Sequence, residues 1–127
     1  MKYIIESSKG FEQTVTDLEA AVAANKFGVL HTHDLQATLK NKGIDFPHPC
    51  KILEVCNPQK AYAVLQEDIS LNMALPCRIS VWVEGGKTKI GMLSPKAILS
   101  LMSGSAALAQ VAAEVEETTK RIIDQAK

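Results

Sequence analysis

The apolar residues of the chain recur with two different periods, and each period predicts one type of element. From Phe11 onward they are spaced by four, three and four positions, which predicts an apolar stripe along a helix that ends near Asn25. Short segments of strand-forming residues flank and follow this helix. They predict strands at Lys2–Ser7, Phe27–Thr32 and Lys51–Cys56.

Capping residues indicate where two further helices begin and end. Asp34 can accept the free amide hydrogens of a first helical turn, and Gly43 can end that helix in a left-handed conformation. Asn57-Pro58 is a helix start, because Asn accepts free amides and proline needs no hydrogen-bond partner at the first helical position. We expect the helix that follows to run to about Gln66.

Gly85-Gly86 predicts a hairpin, because both glycines can adopt positive φ in a two-residue turn. Its strands are predicted at Cys77–Glu84 and Lys87–Leu93. We expect a helix to cover the outward-facing Trp82, and a partner interface is the alternative. Alternation places Cys77, Ile79, Val81, Val83, Ile90 and Met92 on the core face and Arg78, Ser80 and Trp82 on the other.

A long helix is predicted at the end of the chain, after a short helical piece that follows Ser94-Pro95. Ser105 caps it, and its roughly 22 residues span about 33 Å, so we expect it to cover one whole face of the sheet. Its apolar face consists of Leu108, Val111, Ala112, Val115, Thr119 and Ile122.

The element order is β-α-β-α-β-α-β-β-α, which predicts a single α/β domain over residues 1–127. We expect a mixed sheet in a two-layer or partly three-layer arrangement, with the long helix at the C-terminal end.

Composition excludes several classes of partner. The 127 residues include 14 basic and 14 acidic side chains, and 46% are hydrophobic. A neutral chain without a basic stripe argues against a nucleic-acid binder. No stretch approaches the roughly 18 apolar residues of a membrane span, so we expect a cytoplasmic domain without a membrane partner. Three cysteines, an odd number in a reducing compartment, argue against a disulfide scaffold.

Cys56 is the most informative of the three thiols. It is predicted at the carboxyl end of a strand, directly before the Asn57-Pro58 helix start, where free amides and the positive helix end would lower its pKa. Glu54 lies on the same strand face as its polar neighbour. The hypothesis is a reactive or ligand-contacting thiol, and the alternative is a small buried core residue.

Pairing and metal binding by the cysteines are constrained by spacing. Cys50 and Cys56 are about 20 Å apart in one extended strand, too far for a disulfide. A bridge from Cys56 to Cys77 requires adjoining strand ends, which the topology permits. The spacings do not match a zinc knuckle, so we expect no structural zinc site.

The histidines give weaker indications. The second strand places Phe27, Val29 and His31 on one face, and His31 and His33 share that face if the strand extends to His33. Two such imidazoles can chelate a metal, but a polar strand end needs no function, and we predict no metal. Glu54 as the general base of an enzyme is a third hypothesis, without a matching acid or oxyanion site in the sequence.

Two segments resemble the DUF302 family of small bacterial and archaeal domains: Leu53–Pro58, followed by an alanine-rich helix, and Leu75–Val81, followed by the glycine hairpin. His31–Asp34 and the helix end at Leu39–Gly43 add to the resemblance, which extends over essentially the whole chain. It implies a compact α/β domain that commonly forms homodimers. The role of the family is undefined, and some members are associated with sulfur metabolism. The family pattern includes Glu54, Cys56, Asn57, Pro58, Leu75, Pro76, Cys77 and Arg78, but not Cys50.

Together these observations favour a domain that binds a small molecule or a sulfur species and works as a homodimer. A thiolate could bind electrophilic sulfur, while Arg78 or His33 could hold an accompanying anion. The second hypothesis is a non-catalytic structural or regulatory homodimer with cysteines in its core. The sequence does not identify a cofactor. The candidate ligand or thiol site consists of Cys56, Glu54, Asn57, Cys77, Arg78 and His33.

Overall fold

Five strands form one sheet in the order β1-β5-β4-β3-β2 in the computed structural model, which describes residues 1–127. The first strand in the chain, β1, and the second, β2, therefore lie at opposite edges, and the hairpin of β4 and β5 lies inside. The strands are β1 (Lys2–Ser7), β2 (Gly28–Asp34), β3 (Cys50–Cys56), β4 (Cys77–Glu84) and β5 (Lys87–Leu93).

All four pairs of neighbouring strands are antiparallel, so the expectation of a mixed sheet is wrong. A strand-helix-strand sequence suggests a parallel crossover. Here the connections between β2 and β3, and between β3 and β4, contain helices but join antiparallel neighbours. The remaining prediction, a single α/β domain with a long C-terminal helix, is confirmed.

The chain also forms five α-helices and one 3₁₀ helix, and the last two α-helices follow the final strand. Side chains of Asp34, Asn57 and Ser105 accept hydrogen bonds from backbone amides in the first turns, so these predicted caps are confirmed. Ser94 caps a further helix in the same way. The 3₁₀ helix was not predicted, because its sequence has no helical period. The helices are α1 (Phe11–Ala24), α2 (Leu35–Asn41), α3 (Pro58–Glu67), the 3₁₀ helix (Ile69–Ala74), α4 (Pro95–Met102) and α5 (Ala106–Ala126).

The main core lies between one face of the sheet and two helices, α1 and α5. Leu18 of α1 and Ile122 of α5 are fully buried against Leu53, Ile79 and Ile90 of the three central strands. Removing such apolar area from water is the main stabilising contribution to folding. The fold is thus two layers deep at this point, with helices on one side only.

A second, smaller core surrounds the N-terminal half of α5. Leu108 and Ala112 pack there with Val64 of α3, Leu71 of the 3₁₀ helix and Leu99 of α4. The length of this helix predicts that it covers one whole face of the sheet. In the structure it does not cover that face alone. It shares that face with α1 and uses its other half to hold the second core.

An irregularity in β2 changes which residues share a face. Val29 pairs with Val55, but His31 pairs with Glu54, so the register shifts between them. One extra residue in a strand reverses the alternation beyond it. Val29 and His31 therefore lie on opposite faces, contrary to the prediction, whereas β2 does extend through His33.

The predicted register of the hairpin is confirmed, with Glu84 opposite Lys87 and Ser80 opposite Gly91. Trp82 lies on the face that α1 and α5 leave uncovered. A Cβ atom added at Gly91 would lie 3.0 Å from the Trp82 ring and 3.1 Å from Ile4. The indole therefore packs on the glycine backbone beside Ile4. This contact covers part of the Trp82 side chain, which was expected to lie under a helix.

We expect Gly91→Ala to lower the free energy of unfolding by about 1–3 kcal/mol, because the added methyl group overlaps the indole. The change should cost less in a Trp82→Ala background, where Ile4 is the only one of the two close side chains that remains. Gly28→Ala is the matched control, since no atom lies within 4 Å of its added Cβ. Urea unfolding followed by circular dichroism measures the free energy of unfolding of the wild-type protein and of the four variants. An equal cost of Gly91→Ala in both backgrounds would contradict the packing described.

Candidate functional site

The uncovered face of the sheet forms the floor of an open cleft of about 680 Å³. Register places Ile4, Gly91, Ser80, Ile52 and His33 in one row across the five strands. An antiparallel sheet can leave one face to solvent, but such a face is then normally polar. Here 17 of the 25 residues that line the cleft are hydrophobic.

The walls of the cleft come from the helical segments at one end of the sheet. Ala61 and Val64 of α3, Met73 and Ala74 of the 3₁₀ helix, and Ile98 of α4 line it. The second core holds these three segments against α5. The 3₁₀ helix that was missing from the sequence prediction is therefore one wall of the site.

Cys56 lines this cleft, at the last position of β3. The Asn57 side chain is occupied as the cap of α3: it accepts a hydrogen bond from the Lys60 amide at 3.1 Å and donates one to the Lys26 carbonyl at 3.4 Å. Burial raises the pKa of the Cys56 thiol. This direction is opposite to the expected lowering by the helix start, so Cys56 is a neutral thiol at pH ~7.

Cys77 also lines the cleft but packs against the main core. It lies opposite Val55, and burial, with a smaller contribution from the nearby Cys56, raises its pKa to about 11. All three cysteines are free thiols. The structure therefore places Cys56 and Cys77 near each other in the lining of the cleft without joining them.

Glu54, His33 and Arg78 form a polar cluster beside the cleft. His33 Nε2 lies 3.0 Å from Glu54 Oε2, and Arg78 Nη2 lies 3.6 Å from the same oxygen. The hydrogen bond from His33 is the largest of the effects that lower the pKa of Glu54, and Arg78 and His31 add smaller ones. A carboxylate with a lowered pKa is a weaker base, which disfavours Glu54 as a general base.

The rings of His31 and His33 pack edge to face, with centroids 4.4 Å apart and an interplanar angle of 78°. No three His, Cys, Asp or Glu side chains are grouped so that they could hold a metal ion. Arg78 is the only member of the polar cluster that lines the cleft. It therefore connects the predicted site residues inside the cleft with Glu54 and His33 beside it.

Sequence reasoning missed several residues of the site, Lys2 and Lys60 among them. Lys60 is paired with Glu114. Lys2 enters the site because β1 pairs with β5, a contact between segments far apart in the chain that no local pattern indicates. In the sequence, only the outward-facing Trp82 beside Gly91 indicated that this face of the sheet is unusual.

The profile of the family described as "Domain of unknown function DUF302" matches residues 3–126. The chain belongs to the DUF302 family. Its fold is similar to that in "Crystal structure of uncharacterized conserved protein DUF302 from Bacillus stearothermophilus", with a TM-score of 0.93 and 37% sequence identity. That likeness covers 99% of this chain and 98% of the other. No curated protein matches this chain.

The family assignment confirms the resemblance carried by the two cysteine-containing segments. Both segments of this DUF302 domain line the cleft, through Cys56 and Cys77. None of its helices has the length and hydropathy required to cross a membrane.

We expect Cys56 to react slowly with iodoacetamide at pH ~7, because its raised pKa leaves little thiolate. The measurement uses the Cys50→Ser/Cys77→Ser variant, and the rate should still be rising above pH ~9. The same variant unfolded in urea is the control. Faster alkylation in the folded state than in the unfolded state would contradict the neutral thiol.

Proposed function

We propose that this DUF302 domain binds a small molecule in the cleft on the uncovered face of its sheet. The observation that supports this most is the combination of volume and lining, about 680 Å³ with predominantly hydrophobic walls. Small-molecule sites are typically concave and apolar, of about 300–1,000 Å³, with a few polar groups that orient the ligand. Arg78 and Cys56 are such groups here.

The gain on binding comes from apolar surface that folding leaves in contact with water. Ile4 and Leu93 on the cleft floor are 47% and 53% exposed. Covering apolar surface contributes about 25 cal/mol per Å². A ligand that lies on this floor therefore gains from contacts that the chain cannot make by itself.

A sulfur species is one class of ligand that would use Cys56 directly. The thiol would lose its proton to solvent, and its thiolate would attack a sulfur atom of a polysulfide. One sulfur–sulfur bond of the polysulfide would break as the Cys56 sulfur forms a new one, and the electron pair would leave with the shortened polysulfide. Because the pKa of Cys56 is raised, this exchange would accelerate with rising pH. Three free thiols fit a reducing compartment such as the cytoplasm.

A homodimer is the second proposal, and the same exposed apolar floor supports it. Contiguous apolar surface on a small protein is also typical of interfaces between subunits. The two proposals are compatible where the partner covers only part of the uncovered face. Cysteines that are half-buried in each subunit would then have a structural role.

For the binding proposal, we expect 1-octanol to shift the NMR signals of the Trp82 indole and the Ile52 methyl groups. Leu93→Gln, on the cleft floor, should weaken this binding several-fold, because it removes apolar contact area. Leu30→Gln is the matched control: Leu30 is 62% exposed but does not line the cleft. Equal weakening by both variants, or no shifts in the wild-type protein, would contradict a binding cleft.

For the dimer proposal, we expect light scattering at micromolar concentration to give twice the chain mass of 13.8 kDa. Hydrophobic contact between two sheet faces is strong enough for such a concentration when the interface is of standard size. A particle of 13.8 kDa would end the proposal.

A further inference from the structure

The charged residues that line the cleft are all cationic. They are Lys2, Lys60 and Arg78, and no Asp or Glu side chain lines it. The chain as a whole has equal numbers of acidic and basic residues, so the excess of positive charge is local. Glu54 contacts Arg78 from outside the lining.

Two of these cations remain available to a ligand. Lys2 is not among the residues that form salt bridges. The Arg78 side chain is 62% exposed, and its distance of 3.6 Å to Glu54 leaves most guanidinium hydrogens without a close acceptor. Lys60, by contrast, is held by Glu114.

The sheet register brings Lys2 and Arg78 near each other. Lys2 pairs with Leu93 across β1 and β5. Arg78 lies two positions before Ser80, and Leu93 lies two positions after Gly91. Since Ser80 pairs with Gly91, the two cations flank Leu93 on the same face. Neighbouring strands are about 4.8 Å apart, so their backbones are separated by roughly 10 Å. Both side chains are long enough to reach one anion between them.

The apolar part of the floor begins next to this pair of cations. Ile4 and Gly91 form the next row, with the Trp82 ring lying on them. Ile52 continues the same row on the far side of Ser80. The surface thus presents a positively charged end and an apolar extension.

We propose that the ligand of this cleft is a free amphipathic anion. Its single negatively charged head group, such as a carboxylate, lies between Lys2 and Arg78, and its apolar body lies over Ile4, Trp82 and Ile52. The inference rests on the proposed binding function and adds the class of ligand. A guanidinium binds a carboxylate through two parallel hydrogen bonds, which explains an arginine at the charged end.

Three probes with the same eight-carbon chain test this class: octanoate, 1-octanol and octylammonium. Trp82 is the only tryptophan, so its fluorescence reports on the cleft. We expect octanoate to bind at least about fivefold more tightly than 1-octanol, as one exposed ion pair allows, and octylammonium to bind most weakly. Added salt should weaken octanoate binding but not 1-octanol binding.

Lys2→Gln and Arg78→Gln, combined in one variant, should reduce octanoate affinity to that of 1-octanol. The two ligands are compared within the same variant, and a circular dichroism spectrum like that of the wild-type protein shows that the variant is folded. Lys42→Gln is the control, since Lys42 is an exposed cation outside the cleft. Two results would contradict an anionic ligand: an equal loss of affinity with Lys42→Gln, or octanoate binding no tighter than 1-octanol binding in the wild-type protein. Either result would leave the proposed binding function intact.

Two other outcomes identify a different occupant. If Trp82 emission changes with protein concentration but with none of the probes, a second copy of the chain covers the face, and both the ligand class and the binding function fail. If the protein sediments with anionic phosphatidylglycerol vesicles and octanoate has no effect, the anion belongs to a membrane surface, and the free ligand is overturned.

Discussion

The helices of this domain bury only one face of its sheet, and the rest of the structure depends on that asymmetry. The two edge strands, β1 and β2, are consecutive in the chain, so α1 connects one side of the sheet to the other and packs beside α5. On that side the sheet contributes Leu53, Ile79 and Ile90 to the main core. Nothing equivalent covers Ile4, Trp82 and Leu93 on the other side, where the chain instead forms a cleft.

The chemistry of the cleft favours binding over nucleophilic catalysis. Burial keeps Cys56 and Cys77 protonated, and the hydrogen bond to His33 keeps Glu54 ionised and weakly basic. What remains is apolar surface, two accessible cations and the edge of an indole. These groups would recognise the proposed ligand by shape and charge, and they would require no proton transfer to do so.

Local features of the fold could be predicted from the sequence because their causes are local. Asn57 caps α3 with its own side chain, and Gly85-Gly86 adopts the positive φ that the turn requires. Sheet order and strand direction were not predictable, since they depend on contacts between distant segments. The same limit applied to the site: Cys56 was found from its neighbours, whereas Lys2 reaches the cleft only through the pairing of β1 with β5.

If the uncovered sheet face holds a ligand, nuclear Overhauser effects should connect the chain of bound 1-octanol to that face. We expect contacts to the Trp82 indole and to the methyl groups of Ile4 and Ile52. Contacts to the exposed Leu30 instead, or to none of the residues on the cleft floor, would contradict a ligand on that face.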